Sequence, residues 1–261
     1  MNRWLAAALA LVALAAAGCG GSGNGTAEPA TVEGSEYAYA MPDEIDGGVV
    51  SMRFRNTGME PHEFALIRIG GGHTIDETIR DFFANDGEVP YVTDIGGVPL
   101  LSPGEEITIT RRLEPGTHGL LCFFPSPGGK SHLDLGMKRE FQVTGESGAT
   151  MPTPDAVITA TANGYSVPEI EAGTRTIELR NESGKEPSWL LGILQPGSTT
   201  KDFEAWIEGG QKGEAPARIV GAMQSFPSGQ SIFVTLDLEE GTTYRLEDDP
   251  GGLPAVEFTP R

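Results

Sequence analysis

The sequence predicts an all-β chain arranged as two tandem β-sandwiches, each with one short helical insertion. Three observations lead there. Apolar residues alternate with polar ones in short runs, the pattern of strands with one buried face: Met52 and Phe54 against Arg53 and Arg55, and Ile177 and Leu179 against Glu178 and Arg180. The pairs Ile107/Ile109 and Ile232/Val234 behave alike. The 261 residues include 36 glycines and 19 prolines, and "SPG", "EPG" and "EEG" supply turns between the runs. The chain also repeats itself. "YAMPDEIDGGVVSMRFRNTGMEPHEFALIRI" (39–69) aligns with "YSVPEIEAGTRTIELRNESGKEPSWLLGIL" (165–194), and "GGVPLLSPGEEITITRRLEPGTHGLLC" (96–122) with "GAMQSFPSGQSIFVTLDLEEGTTYRLE" (221–247).

The first element, residues 1–18, reads as a signal peptide. Arg3 gives a positive start, and Trp4–Ala17 is an apolar run of 14 residues. A spanning helix needs roughly 20 residues, whereas this length suits a signal core. "LAAAGC" resembles the lipobox of bacterial lipoproteins, with Ala16 where leucine is usual. The resemblance implies lipidation of Cys19, a membrane anchor through that lipid, and export to the periplasm or cell exterior. Ordinary cleavage leaving a free Cys19 is the alternative. Residues 19–34, rich in Gly and Ser, have the composition of a flexible tether.

Residues 35–145 and 155–261 form the two sandwiches, joined by a polar linker at 146–154. The net charge is −19, and residues 29–145 and 150–261 each carry nine more acidic than basic residues. That balance excludes nucleic acid and anionic lipid as partners and favours a protein with a basic surface. In "HTIDETIRDFFAND" (73–86) the period changes from two to a helical one. Thr74 and Glu77 make a capping box, and Ile75, Ile79 and Phe82/Phe83 line one face. "STTKDFEAWIEGG" places Phe203 and Trp206/Ile207 at the matching point of the second copy.

The repeat serves as an internal control. Where the first copy has His62 the second has Ser188, and where it has Cys122 the second has Glu247. The stretch after Cys122 is eight residues longer than its counterpart, and it holds His132 and Met137. With Cys19 lipidated, Cys122 has no partner for an internal disulfide. Singly, His62 reads as a structural histidine, Cys122 as a small buried hydrophobe and Met137 as packing. Together, two imidazoles, a thiolate and a thioether are a soft ligand set. A trigonal His–Cys–His plane with a weak axial Met describes a blue-copper site.

The order His, Cys, His, Met resembles the cupredoxins, the type 1 copper domains, over most of residues 35–145. "NTGMEPHEF", "SPGEEITITRRLEPGTHGLLC" and "HLDLGMKREFQV" carry the likeness. It implies Greek-key sandwiches, one copper ion cycling between Cu(I) and Cu(II), ligands His62, Cys122, His132 and Met137, and one-electron transfer to a redox partner. The second copy would be degenerate, without ligands. His132 lies five residues before Met137, as in that family, but nine residues separate Cys122 from His132 where two to four are usual. "FFPSPGGKS" must therefore fold back as a Pro/Gly turn. Phe123, Phe124 and Met59 are expected to keep water from the site.

Two other readings use the same sequence: a copper scavenger or chaperone, and a metal-free interaction module presenting Trp189 and Trp206, although core packing explains both tryptophans more simply. The remaining histidines, His73 and His118, are too few for the extra coppers of multicopper oxidases and nitrite reductases. No G-x-S-x-G, HExxH or phosphate loop is present. On that count the chain is expected not to be an enzyme.

Overall fold

The computed structural model describes residue 25 and residues 28–210, 213–248 and 252–261. Cys19 and the signal segment lie outside the described residues. The first half runs β1 (Ala30–Ser35), β2 (Ala38–Ala40), β3 (Glu44–Asp46), β4 (Gly48–Asn56), β5 (His62–Ile69), α1 (Ile75–Ala84), β6 (Val92–Asp94), β7 (Val98–Leu101), β8 (Glu106–Leu113), β9 (Gly116–Leu121) and β10 (Lys138–Thr144). The second runs β11 (Ala156–Thr161), β12 (Gly164–Ser166), β13 (Gly173–Asn181), β14 (Trp189–Leu194), α2 (Thr200–Glu208), β15 (Ala217–Met223), β16 (Ser231–Leu238), β17 (Tyr244–Glu247) and β18 (Val256–Phe258). The chain is thus all-β with two short helices, as its alternation predicts.

The tether is shorter than expected. Ala30–Ser35 is a strand, parallel to β4 from Ala30↔Met52 to Gly34↔Asn56. Val32 is fully buried there. A single buried valine among small and polar residues left little periodicity to read.

The expectation of two separate sandwiches also needs amendment. One eight-stranded sheet, β12-β11-β13-β16-β8-β4-β1-β2, crosses both halves. The join is β8 against β16, with Ile109 opposite Val234. Both strands put their isoleucines and valine on the inner face, so pairing them makes one continuous apolar surface and leaves neither edge unpaired. On the outer face, hydroxyl pairs tie neighbouring strands: Ser51 to Thr110 at 2.8 Å and Thr176 to Thr235 at 2.9 Å.

The opposite faces are covered by β3-β10-β9-β5-β6, with β7 also on β5, and by β15-β14-β17-β18. Backbone bonds from Ser102 to Ile219 (3.0 Å) and from Gln224 to Gly97 (2.8 Å) link these two sheets between β7 and β15. Gly97 lets the start of β7 lie close against β5, since a β-carbon there would stand 1.8 Å from the Phe64 carbonyl oxygen. Phe54 of the large sheet meets Phe64 of the facing sheet edge to face at 5.4 Å, inside a core shared by both halves.

Helix α1 starts at the expected capping box: Glu77 N–H donates to Thr74 Oγ1 (3.3 Å), and Thr74 N–H to the Glu77 carboxylate (2.9 Å). It sits over a smaller cluster of Ala65, Ile67, Ile69, Leu121 and Leu133. Ile75 is buried, while Phe83 turns outward at 57% exposure, so Phe82 alone of that pair faces inward, towards Phe123. Thr199 and Asp202 cap α2 in the same way.

Candidate metal centre

The turn between β4 and β5 is folded by one side chain. Asn56, almost fully buried, donates its amide to the carbonyls of Glu60 (2.8 Å) and Leu101 (2.8 Å). Its oxygen accepts from Gly58 N–H at 3.0 Å. Those bonds satisfy the turn internally and bring Glu60 and His62 to the end of β5. Gly58 is required, because a β-carbon there would lie 2.5 Å from a Glu36 carboxylate oxygen and 2.7 Å from His62 Nε2.

Cys122 follows β9, and the stretch after it folds back on itself. Ser126 N–H and Oγ–H both donate to the Lys130 carbonyl at 2.8 Å, and Pro125 bridges to Ser131. Gly129 supplies the positive φ of the reversal. His132 N–H then donates to the Phe124 carbonyl (2.8 Å), and Met137 N–H to the His132 carbonyl (2.8 Å). Cys122 N–H closes the circuit onto the Met137 carbonyl at 3.3 Å. The nine-residue excursion is therefore a pinned hairpin, and it returns the imidazole to the thiol.

His62, Cys122 and His132 converge with their donor atoms within 4.8 Å of one another, a grouping that could hold a metal ion. All three are completely buried. His62 Nδ1 and His132 Nδ1 are 3.0 Å apart, and Cys122 Sγ is 3.4 Å from His132 Nδ1. Nitrogen and sulfur donors bonded at about 2.0–2.3 Å in one plane stand roughly 3.5–3.8 Å apart. The His62–His132 and Cys122–His132 pairs need to open by only about 0.4–0.5 Å, so these residues fit an ion. Met137 is fully buried beside them and joined to both Cys122 and His132 through its backbone.

The surroundings set the charges. Burial, then the neighbouring His132, lowers His62 to a pKa of about 4. Burial likewise lowers His132, against the opposing pull of Glu60. Both rings are thus neutral near neutral pH, and across the 3.0 Å between their Nδ1 atoms one ring donates and the other accepts, a proton that an arriving cation must also displace to gain both nitrogens. Burial pushes the Cys122 thiol up to about 12, helped by the Glu63 carboxylate. A cation arriving here must displace that proton to gain a thiolate. Glu63 N–H already donates to Sγ at 3.3 Å, the bond that would support the anion.

Sequence reasoning missed several neighbours. Glu60 Oε2 lies 2.9 Å from His132 Nε2. Tyr37 packs edge-on against the His132 ring at 5.0 Å, and the Tyr39 hydroxyl donates to the Glu63 carbonyl at 2.5 Å. The only sequence signal was the pair of glutamates around "PH" in "EPHE". Of the expected water-excluding residues, Phe124 flanks His132 at 5.7 Å, but Phe123 packs under α1 and Met59 is 85% exposed. Trp189 and Trp206 are both buried in the core, which bears out core packing and removes them as candidates for a binding surface. His118 is buried against Phe141, with Nδ1 at 3.1 Å from the Gly116 carbonyl, and His73 stacks on Tyr91 at 3.8 Å. Neither joins the trio.

No protein-family model matches the chain, and no curated protein does. Solved structures do. A dithionite-reduced auracyanin from Roseiflexus castenholzii is 23% identical, covering 46% of this chain and 99% of its own, with a TM-score of 0.30. Auracyanin A, a blue copper protein from Chloroflexus aurantiacus, is 23% identical over 45% of this chain and 100% of its own, TM-score 0.30. A multicopper oxidase is 16% identical over 88% of each chain, TM-score 0.26. Likeness at this level transfers neither activity nor ligand. The expectation that the chain is not an enzyme is withdrawn: a laccase and a copper nitrite reductase also stand among the similar structures. The physical fault lay in the inference: a histidine count limits how many ions a chain can hold, not whether it catalyses.

Proposed function

We propose that the first half binds one copper ion through His62 Nδ1, Cys122 Sγ and His132 Nδ1, with Met137 as a weak fourth ligand, and serves one-electron transfer. The observation that carries this reading is the convergence of three fully buried donors, two imidazoles and a thiol, within 4.8 Å. Thiolate and thioether donors favour copper over magnesium or calcium. Bound copper supplies a one-electron couple. The chain supplies the rest: β5 and β9 are paired neighbours in one sheet, the Asn56 bonds hold the His62 turn, and the pinned hairpin holds His132. Such a frame limits rearrangement between oxidation states. Complete burial of the donors excludes water from them.

The wider reading treats each half as a Greek-key sandwich, the second a degenerate copy of the first. Matching brackets at Asn56 and Asn181, and matching caps at Thr74 and Thr199, support it. Cys19 anchors the exported protein by lipid, and a redox partner with a basic surface meets its acidic one. Among the described residues no helix is long and apolar enough to cross a membrane. Retention of a Cys19→Ala variant in the membrane fraction would sink the anchor.

Adding Cu(II) to the protein without residues 1–18 tests the site. Intense blue or green colour at one equivalent, lost in Cys122→Ser, is the expected result. Colourless stoichiometric Cu(I) binding points instead to a scavenger or chaperone, and no binding rejects the copper reading.

A further inference from the structure

Among the described residues, Glu60 is the carboxylate hydrogen-bonded to a ring nitrogen of the trio that faces away from the centre. Its Oε2 meets His132 Nε2 at 2.9 Å, and its Oε1 accepts from the Tyr37 hydroxyl at 3.4 Å. Its backbone carbonyl is gripped by Asn56, so the carboxylate is aimed from a fixed point. A carboxylate accepts hydrogen bonds and cannot donate them, so it holds the His132 proton on Nε2. The lone pair is then left on Nδ1, 3.4 Å from Cys122 Sγ. His62 is unlike it: among the described residues its Nε2 has no hydrogen-bond partner.

The second half is the control. Asn181 makes the same bracket, donating to the carbonyls of Lys185 (2.8 Å) and Phe226 (2.7 Å). Lys185 offers the carbonyl that Glu60 offers in the first half, while the alignment that sets Ser188 against His62 puts Glu186 opposite Glu60. Position 60 is free to vary as far as the bracket is concerned, since only its carbonyl is used there.

Glu60 also forms the boundary with solvent. It lines a groove of about 950 Å³ between the halves, together with Pro61, Phe124 and Pro125 on one side and Ala215 and Arg218 on the other. Its side chain is 22% exposed, whereas that of His132 is 0%. Glu60 and Phe124 both line the groove and both meet the His132 ring, Glu60 at its Nε2 and Phe124 at its edge.

We propose that Glu60 is the positioning residue of the centre: it selects the His132 tautomer, orients the ring, and separates it from the groove. This rests on the copper reading of the trio. Partners of this kind orient ligating histidines, and losing one typically costs 10–100-fold in affinity.

The test compares wild type with Glu60→Ala and Glu60→Gln, whose amide oxygen still accepts from Nε2. In metal-free, isotope-labelled protein, long-range proton–nitrogen NMR correlations show which His132 nitrogen carries the hydrogen. Nε2 is expected in wild type and Glu60→Gln, and a mixture in Glu60→Ala. Cu(I) affinity, measured against a competing chelator, should fall about 10–100-fold in Glu60→Ala and far less in Glu60→Gln. Wild-type tautomer and wild-type affinity in Glu60→Ala overturn the proposal. If that variant does not fold, Glu60→Met, which keeps the bulk without the acceptor, is read by the same criteria. If wild type takes up no copper, the copper reading fails, and the tautomer arm still decides the role of Glu60.

Discussion

Asn56 and Asn181 occupy matching turns in the two halves and make matching bonds. Each donates twice to backbone carbonyls and accepts one N–H, all between 2.7 and 3.0 Å. The strands that follow are also in register: Ala65 faces Leu121 in the first half, and Leu191 faces Leu246 in the second. That register sets His62 against Ser188 and Cys122 against Glu247. In the second half Glu247 is buried and paired with Arg245, which also meets Glu204 at 3.0 Å and Glu257 at 3.3 Å. Ser188 N–H donates to Asp248 at 2.9 Å. One frame therefore closes around two kinds of content, a neutral trio of soft donors or a charged pair. What differs most is length: 16 residues separate β9 from β10, and eight separate β17 from β18. The frame needs the bracket, and the site needs the loop.

The strongest way to break this comparison is to exchange the loops. Replacing residues 123–137 by the second half's 248–255 removes His132 and Met137. Copper binding, measured by equilibrium dialysis, should disappear while the first half still folds cooperatively. Retained stoichiometric binding would place the site elsewhere.

The bracket comes next. Asn56→Ala and Asn181→Ala each strand two carbonyls and an N–H, costing about 3 kcal/mol by urea denaturation. Only Asn56→Ala should also weaken copper, since only that turn carries Glu60 and His62. Equal copper affinity in both variants would show that the turn is not what holds His62.

Acid sharpens the contrast because all four histidines lie in the first half. Folded His62 resists protonation down to about 4, and burial lowers His118 as well. The unfolded chain takes up these protons near the ordinary value of ~6.5. Between those limits the unfolded state binds more protons, so stability is fully present above about 6.5 and is lost as pH falls towards 4. For His62 the loss is on the order of 2–3 kcal/mol. Urea midpoints of metal-free protein at neutral and mildly acidic pH should show it, and His62→Gln should flatten the dependence. A wild-type midpoint that does not move would contradict the buried, neutral state of the ring.

Much of this was legible in the residues. Alternation marked the long strands, the capping box located α1, and the repeat singled out His62, Cys122, His132 and Met137 by showing which residues the scaffold can do without. These are local or internal signals, carried by period and by alignment of one half with the other. The short β1 was missed because Val32 alone carries its burial. For Trp189 and Trp206 core packing was the simpler reading, and the facing sheet supplies the burial that settles it.

The sequence by itself determined an all-β chain, its internal repeat and the donor types gathered in one half, because periodicity, turn chemistry and residue type need no knowledge of distant partners. Tertiary structure alone decided that β8 and β16 join the halves into one sheet, that Gly129 and the Ser126 bonds return His132 to Cys122, and that Glu60 stands behind that ring. Each of those depends on contacts between residues far apart in the chain, where edge pairing, backbone satisfaction and burial select among arrangements that local pattern leaves equally open.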